Sequence, residues 1–297
     1  MIDMVSYVPR LPRPGETLVG DRFEIGFGGK GANQAVMARR LGATVRMIAC
    51  VGTDSFGDQT VANLAAEGID TRYVYRAEVH TGVAPIWVEP DGTNRIAVIP
   101  GANNELVADE VATAVTTQAS QVVMGQLEIP QPVTLAAFRA ARAGGSLTVL
   151  NPAPAADVSL DLLAVTDWII PNETEFAALL WSVLHAEANA VTEDALHALA
   201  AHIAPKLLVT LGEAGAVMVA GVGPLARQPA PPSPVVDTTG AGDAFVGAFG
   251  YGLGRGLSPA EAMELAVRCA SFTVGRPGTQ SSFPSGEECA RLLQEVA

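Results

Sequence analysis

Short apolar runs rich in β-branched residues alternate along the chain with alanine-rich stretches whose apolar positions recur at helical spacing. The runs Thr44–Val51, Gln121–Gly125, Leu147–Leu150, Trp168–Ile170, Leu207–Thr210 and Ala216–Val219 predict strands. Between them, Ala32–Leu41, Asp58–Glu67, Pro132–Ala143, Glu173–Ala186 and Thr192–Ile203 predict helices. Strands that are apolar on both faces and separated by helical crossovers belong in a parallel sheet covered on both sides. The rhythm therefore predicts an α/β fold with a mostly parallel central sheet flanked by helices.

Two regions break that rhythm. Residues Gly15–Gly28 and Gly82–Ile99 alternate like antiparallel pieces, and the Asp91-Gly92 pair is a hairpin signal. A small β layer inserted in the α/β body can serve as a lid over a site or as a surface for a second copy, since short exposed sheets need covering. Gly221–Pro234 is proline-rich and reads as a connection, and no internal repeat is visible.

Composition narrows the picture. The 297 residues are 49% hydrophobic and 16% charged, as in a folded globular chain. A net charge of −13 argues against nucleic acid, whose phosphates demand a basic surface. Cys50, Cys269 and Cys289 are few, odd in number and irregularly spaced, which suits reduced structural thiols. The four histidines, His80, His185, His197 and His202, show no metal-ligand spacing. Neither a signal peptide nor a run of about 18 apolar residues is present, so a cytoplasmic protein without a membrane partner is expected.

The candidate chemistry lies in short polar motifs. Asp237-Thr238-Thr239-Gly240-Ala241-Gly242-Asp243 sets two acids around a glycine turn that opens onto an apolar helical stretch. Such a turn bares amides toward an anion, and a carboxylate there suits removal of a proton from an attacking hydroxyl. Its plain reading is a tight loop with a favourable first-turn acid. Gly28-Gly29-Lys30-Gly31-Ala32-Asn33-Gln34 formally contains the spacing Gly26-x-Gly28-x-x-Gly31. It follows an alternating strand instead of a buried parallel one, and Gly31 stands where a phosphate loop needs Ser or Thr, so neither nucleotide motif fits. Bared amides, one ammonium and one carboxamide suit a polyhydroxy ligand instead. Asn172 and Glu175 read equally as a capping box and as polar groups at a strand's C-terminal end, where α/β sheets bind ligands. The glycines of Thr210-Leu211-Gly212-Glu213-Ala214-Gly215 suit either close approach of a ligand or an ordinary turn. Glu128 stands just beyond a predicted strand.

Together with Gln126-Leu127-Glu128, Asn151–Ala155 and Gly278–Ser282, these motifs resemble, in order and over about Asp3 to Pro284, the ribokinase-like family of sugar kinases. The resemblance implies a three-layer α/β kinase fold with a small antiparallel β lid, and one kinase unit over residues 1–297. It implies phosphate transfer from ATP to the O5 hydroxyl of ribose, with another sugar of the family, such as deoxyribose, fructose or a keto-deoxy acid, as the alternative. In that frame Asp243 is the base, and Gly240, Ala241 and Gly242 offer amides to the developing charge. Asp3, Gly29, Lys30, Gly31, Ala32, Asn33 and Glu128 hold the sugar. Asn172, Glu175, Thr210, Leu211, Gly212, Glu213, Ala214, Gly215 and Gly242 contact the nucleotide, with Mg²⁺ accompanying ATP. Asp237, Thr239, Thr273, Arg276, Gly278 and Ser282 surround K⁺ as an activator. A homodimer through the β lid is implied as well.

The chain departs from the family pattern in three places. Family members open with a strand ending Gly-Ser-x-Asn-x-Asp, whereas this sequence starts at Met1-Ile2-Asp3. A start upstream by roughly a dozen residues is expected, the length of a strand and its turn. Without that strand, a catalytically impaired sugar-binding protein is a further reading. Val267 replaces a polar residue near adenine, and Leu180-Trp181-Ser182 replaces a Leu-Thr-Gly helix ending, expected to be a surface matter.

Overall fold

A computed structural model describes residues 1–187, 190–219 and 223–296. In chain order the elements are β1 (Ile2–Tyr7), β2 (Arg22–Phe27), α1 (Lys30–Arg40), β3 (Arg46–Gly52), α2 (Ser55–Ala66), β4 (Asp70–Ala77), β5 (Val83–Val88) and β6 (Asn94–Ile96). There follow α3 (Ala108–Thr117), β7 (Val122–Gly125), α4 (Gln131–Ala143), β8 (Leu147–Leu150), α5 (Leu160–Ala164), β9 (Trp168–Ile169), α6 (Glu173–Leu184) and α7 (Glu193–His202). The chain continues through β10 (Lys206–Thr210), β11 (Ala216–Val219), β12 (Ala226–Gln228), α8 (Ala241–Gly254), α9 (Pro259–Thr273) and α10 (Gly286–Gln294).

The main sheet has the order β12-β11-β10-β9-β8-β7. β7 to β10 are parallel, and β11 and β12 extend one side antiparallel. Period-two alternation splits the buried strand residues between two cores. Val149, Trp168 and Leu208 join Met37 of α1, Phe245 and Phe249 of α8, and Leu265 of α9. Leu150, Ile169, Leu207 and Val209 join Phe138 of α4, Leu162 of α5, Phe176 of α6 and Leu199 of α7 on the other face. Helices thus flank both faces, as the apolar runs predict. Val267 belongs to the first core, which makes it a packing residue. Trp181 is half exposed at the surface, as expected. All three cysteines are free and buried. Among the described residues no helix is long and apolar enough to cross a membrane.

Three features differ from the sequence reading. First, β3 does not join the main sheet: it pairs with β4 in a separate two-stranded parallel sheet. Second, the residues after Met1 form a strand. β1 runs antiparallel to β2 and parallel to β5 in a four-stranded sheet of order β2-β1-β5-β6. Asp3 and Ser6 interrupt its apolar positions, which hides it from a search for apolar runs. The Asp91-Gly92 turn lies where expected, with Gly92 at a positive φ of 84° and β5 pairing β6 antiparallel. Third, β3 and β7 face each other across a slot of about 510 Å³, lined by Arg46 to Val51 on one side and Val122 to Gly125 on the other. Met1 and Arg46 both line it, and Arg46 donates to Gln118 O at 2.8 Å and Ser120 Oγ at 3.3 Å. The connection predicted over 221–234 includes β12, and its residues 221 and 222 lie outside the described residues.

Candidate active site

The site forms where α1 and α8 begin, at the carboxyl ends of the parallel strands. β2 delivers Gly28 against Asp3, so that a side chain there would put Cβ 2.1 Å from Asp3 Oδ1; only glycine fits. Gly29 then adopts a φ of 88°, which releases the chain into α1. The Lys30 N–H, at that helix start, donates to Glu128 Oε2 at 2.7 Å. Gly240, at a φ of 79°, opens α8 in the same way. The amides of Gly242 and Asp243 follow in its first turn, where a helix supplies no internal acceptor.

α1 and α8 pack closely because Gly247 bears no side chain; a Cβ there would lie 2.6 Å from Gln34 O. That contact brings Asn33 and Gln34 to Asp243. Asn33 Nδ2 donates to Asp243 Oδ2 at 2.8 Å and Gln34 Nε2 donates to Oδ1 at 3.1 Å. Asp243 is buried, and burial pushes its carboxyl above the usual range while Lys30 and the two carboxamides pull it back. A cavity of about 190 Å³ collects Lys30, Asn151, Asn172, Glu175, Thr210, Gly240, Gly242 and Asp243, with Ala153, Ile170 and Val246 as its apolar wall.

Three more acids are coupled to Asp243 and Lys30. Burial raises Asp3 to about 6, a shift opposed by the α-amino group of Met1 and by Lys30. Burial likewise raises Glu128 and Glu175, with Lys30 opposing in both cases. The Lys30 ammonium and the buried Met1 α-amino group therefore face four carboxylates, an excess of negative charge at the site.

The predicted residues fall into four groups in space. Asp3, Gly29, Lys30, Asn33 and Glu128 gather around the start of α1, with Gly31 and the buried Ala32 in its first turn. Asn172 and Glu175 form the capping box of α6: Glu175 N donates to Asn172 Oδ1 and Asn172 N to Glu175 Oε2, both at 2.9 Å. They nonetheless line the cavity, so both sequence readings hold for the same pair. Thr210 lines it too, bridged to Asn172, whereas Leu211 to Gly215 form a turn closed by a 2.8 Å bond from Leu211 N to Gly215 O. Within that turn Gly212, Glu213 and Ala214 are exposed.

The fourth group surrounds Asp237. Its Oδ1 accepts from Thr239 N and its Oδ2 from Gly278 N, both at 2.9 Å, which ties the α8 turn to the loop after α9. Thr273 and Ser282 are buried alongside, while the Arg276 guanidinium turns away to Glu288 at 2.7 Å. Arg276 therefore offers this group only its main chain. Among the described residues no group of three or more His, Cys, Asp or Glu side chains is arranged to hold a metal ion by itself.

Sequence reasoning assigned no role to Gln34, Gln126, Asn151 or Gln280. Gln126 Nε2 donates to Gln34 Oε1, and Asn151 Oδ1 accepts from Gln34 Nε2 at 3.1 Å. Gln280 Nε2 donates to Asn33 Oδ1 at 2.9 Å. Their signal was faint: each lies inside a motif of the resemblance, but pairings across about 90 to 250 positions carry no local pattern.

Comparison with known proteins agrees with this geometry. Residues 1–286 match the model of the pfkB family carbohydrate kinases. Deoxyribokinase of Salmonella typhimurium is 37% identical over 300 residues, covering 99% of this chain and 96% of the relative. Mouse ribokinase is 38% identical over 291 residues, covering 96% and 89%. The structure of Arabidopsis thaliana ribokinase complexed with ribose and ATP superposes with a TM-score of 0.86 at 28% identity, covering 99% and 96%.

Proposed function

This chain belongs to the pfkB family of carbohydrate kinases and is a sugar phosphotransferase; on that premise we propose that it transfers the γ-phosphoryl group of ATP to the O5 hydroxyl of D-ribose. Asp243 takes the proton of that hydroxyl, its oxygen attacks the γ-phosphorus in line, and ADP leaves. The amides of Gly240 and Gly242 meet the negative charge that develops on the transferred group, while that of Ala241 is shared with Thr238 O at 3.3 Å. Asp3, Lys30, Asn33 and Glu128 orient the sugar, and the Thr210–Gly215 turn borders the nucleotide. The observation that carries this reading is the buried Asp243 carboxylate, both oxygens oriented by carboxamides, at the amide-rich start of α8.

Cations fit the donor sets. Glu175 and Asn172, on the same cavity as Asp243, suit Mg²⁺ held chiefly by phosphates and water, which neutralises charge on ATP. Asp237 and the main-chain carbonyls of two joined loops suit K⁺, whose binding would fix the turn before α8. The whole chain acts as one kinase unit, with 15–28 and 82–99 as a lid. Exposed Phe23, Ile25, Ile96, Val98 and Ile99 on those segments support a homodimer through the lid.

The deoxyribokinase of Salmonella typhimurium, 37% identical over nearly the whole chain, favours 2-deoxyribose as a second reading. Coupled measurement of ADP release with ATP, Mg²⁺ and either pentose tests both readings. A kcat/KM higher for ribose supports the first, one higher for deoxyribose replaces it by the second, and turnover of neither removes both.

A further inference from the structure

Two strings of side-chain amides converge on Asp243, and fixed acceptors set the direction of each. On one side the Ile170 carbonyl, which can only accept, takes Asn151 Nδ2 at 2.9 Å. Asn151 must therefore turn its oxygen to Gln34, whose Nε2 serves both Asn151 and Asp243, while its Oε1 accepts from Gln126. On the other side the Asp243 carboxylate takes Asn33 Nδ2, so Asn33 must offer Oδ1 to Gln280 Nε2. Gln280 Oε1 in turn accepts from Asn63 Nδ2 of α2 at 3.0 Å. Reversing any one amide would set oxygen against oxygen or N–H against N–H, and the cost would fall on its neighbours.

Gln280 touches neither Asp243 nor the cavity around it. It is 8% exposed, and its loop is anchored by Arg40, whose Nη1 donates to Gln280 O at 2.9 Å and Phe283 O at 3.2 Å. We propose that Gln280 is a positioning residue for the base: by occupying Asn33 Oδ1 it holds Asn33 Nδ2 on Asp243 and keeps the carboxylate oriented and ionised. The inference rests on the reading of Asp243 as base. The charged groups facing Asp243 are Lys30, Asp3, Glu128 and Glu175, and none of them contacts Gln280.

The Gln280→Met variant keeps the length of the side chain and loses the donor. Asn33 is then free to rotate, so kcat with ATP and ribose falls about tenfold, the worth of one hydrogen bond to a charged group. The acid limb of the kcat–pH profile moves to higher pH, because the carboxylate has lost a donor. In an Asn33→Ala background the same substitution costs nothing further, since its route to the base is gone. The Asn63→Asp variant serves as a control that leaves Gln280 in place. An acceptor at 63 turns Gln280 end for end and, through Asn33, moves the acid limb in the same direction. An unmoved acid limb in both variants, or losses at 280 and 33 that multiply, would overturn the assignment. If Asp243→Asn retained full turnover, the base reading itself would fall, and with it this inference.

Discussion

Asn33 Nδ2 donates to Asp243 Oδ2 at 2.8 Å, joining the first turn of α1 to the first turn of α8 across 210 positions of sequence. The bond gives the carboxylate a fixed orientation, and the same carboxamide accepts from Gln280 Nε2 through its oxygen. Replacing Asn33 by Ala is therefore expected to lower kcat/KM for the sugar by roughly 10- to 100-fold, as loss of a hydrogen bond to a charged group implies. Thermal melting is expected to fall as well, because the side chain is buried and its loss leaves Asp243 Oδ2 and Gln280 Nε2 each short of a partner. Unchanged sugar kinetics would separate this bond from function.

The acids of the site make stability depend on pH in a defined direction. Asp3 is raised by burial to about 6, so the folded state holds its proton more tightly than the unfolded chain does. Its favourable contribution is complete below about pH 4 and is lost as pH rises through about 6. Asp3→Asn removes this dependence. At pH 8 the variant is expected to be more stable than the parent by on the order of 2 kcal/mol, and at pH 4 about equal to it. Melting curves at the two pH values check the difference; a gain confined to pH 4 would reverse the sign and refute the argument.

The α1–α8 contact sets a further test. A methyl group at Gly247 would meet Gln34 O at 2.6 Å and Met37 Cβ at 2.9 Å, so the helices must separate. Gly247→Ala is expected to destabilise the protein by roughly 1–3 kcal/mol, a melting shift of several degrees, despite the helix propensity it gains. Because the displaced helix carries Gln34, activity at temperatures well below the transition is expected to fall too. A variant that melts higher would mean that the contact is slack.

How much of this was legible beforehand depended on range. Leu147–Leu150 and Ala216–Val219 form strands with the bounds read from their apolar runs, because strands buried on both faces record their environment locally. β1 escaped because Ile-Asp-Met-Val-Ser-Tyr forms neither an apolar run nor a strict alternation, and the detachment of β3 escaped because partner choice is decided by distant segments. In the site, glycines and acids announced themselves through backbone demands and charge. Gln34, Gln126, Asn151 and Gln280 did not, since a buried carboxamide looks like any surface one until its partner is in place. Asn172 and Glu175 show the converse: the sequence offered two roles, and the fold places a helix cap at the cavity wall.

The slot offers its own measurement. β3 pairs with β4 and β7 with β8, which leaves the facing edges of β3 and β7 without a strand partner among the described residues. Extending the chain ahead of Met1 by about ten residues, with an apolar strand running into Ile2, is expected to raise the melting temperature by several degrees, as burial of an added strand implies. An extension of the same length and scrambled polar composition is expected to have no effect. Equal melting of the two would show that the slot does not accept a strand.

The central claim is that Asp243 removes the proton from the attacking hydroxyl. ATP-dependent phosphorylation of ribose, measured beside calorimetric sugar binding for the parent and Asp243→Asn, tests it most directly. The expected result is a fall in kcat of about 10²- to 10⁴-fold, the usual worth of a general base, with sugar binding retained. Equal turnover by the two proteins would contradict the account.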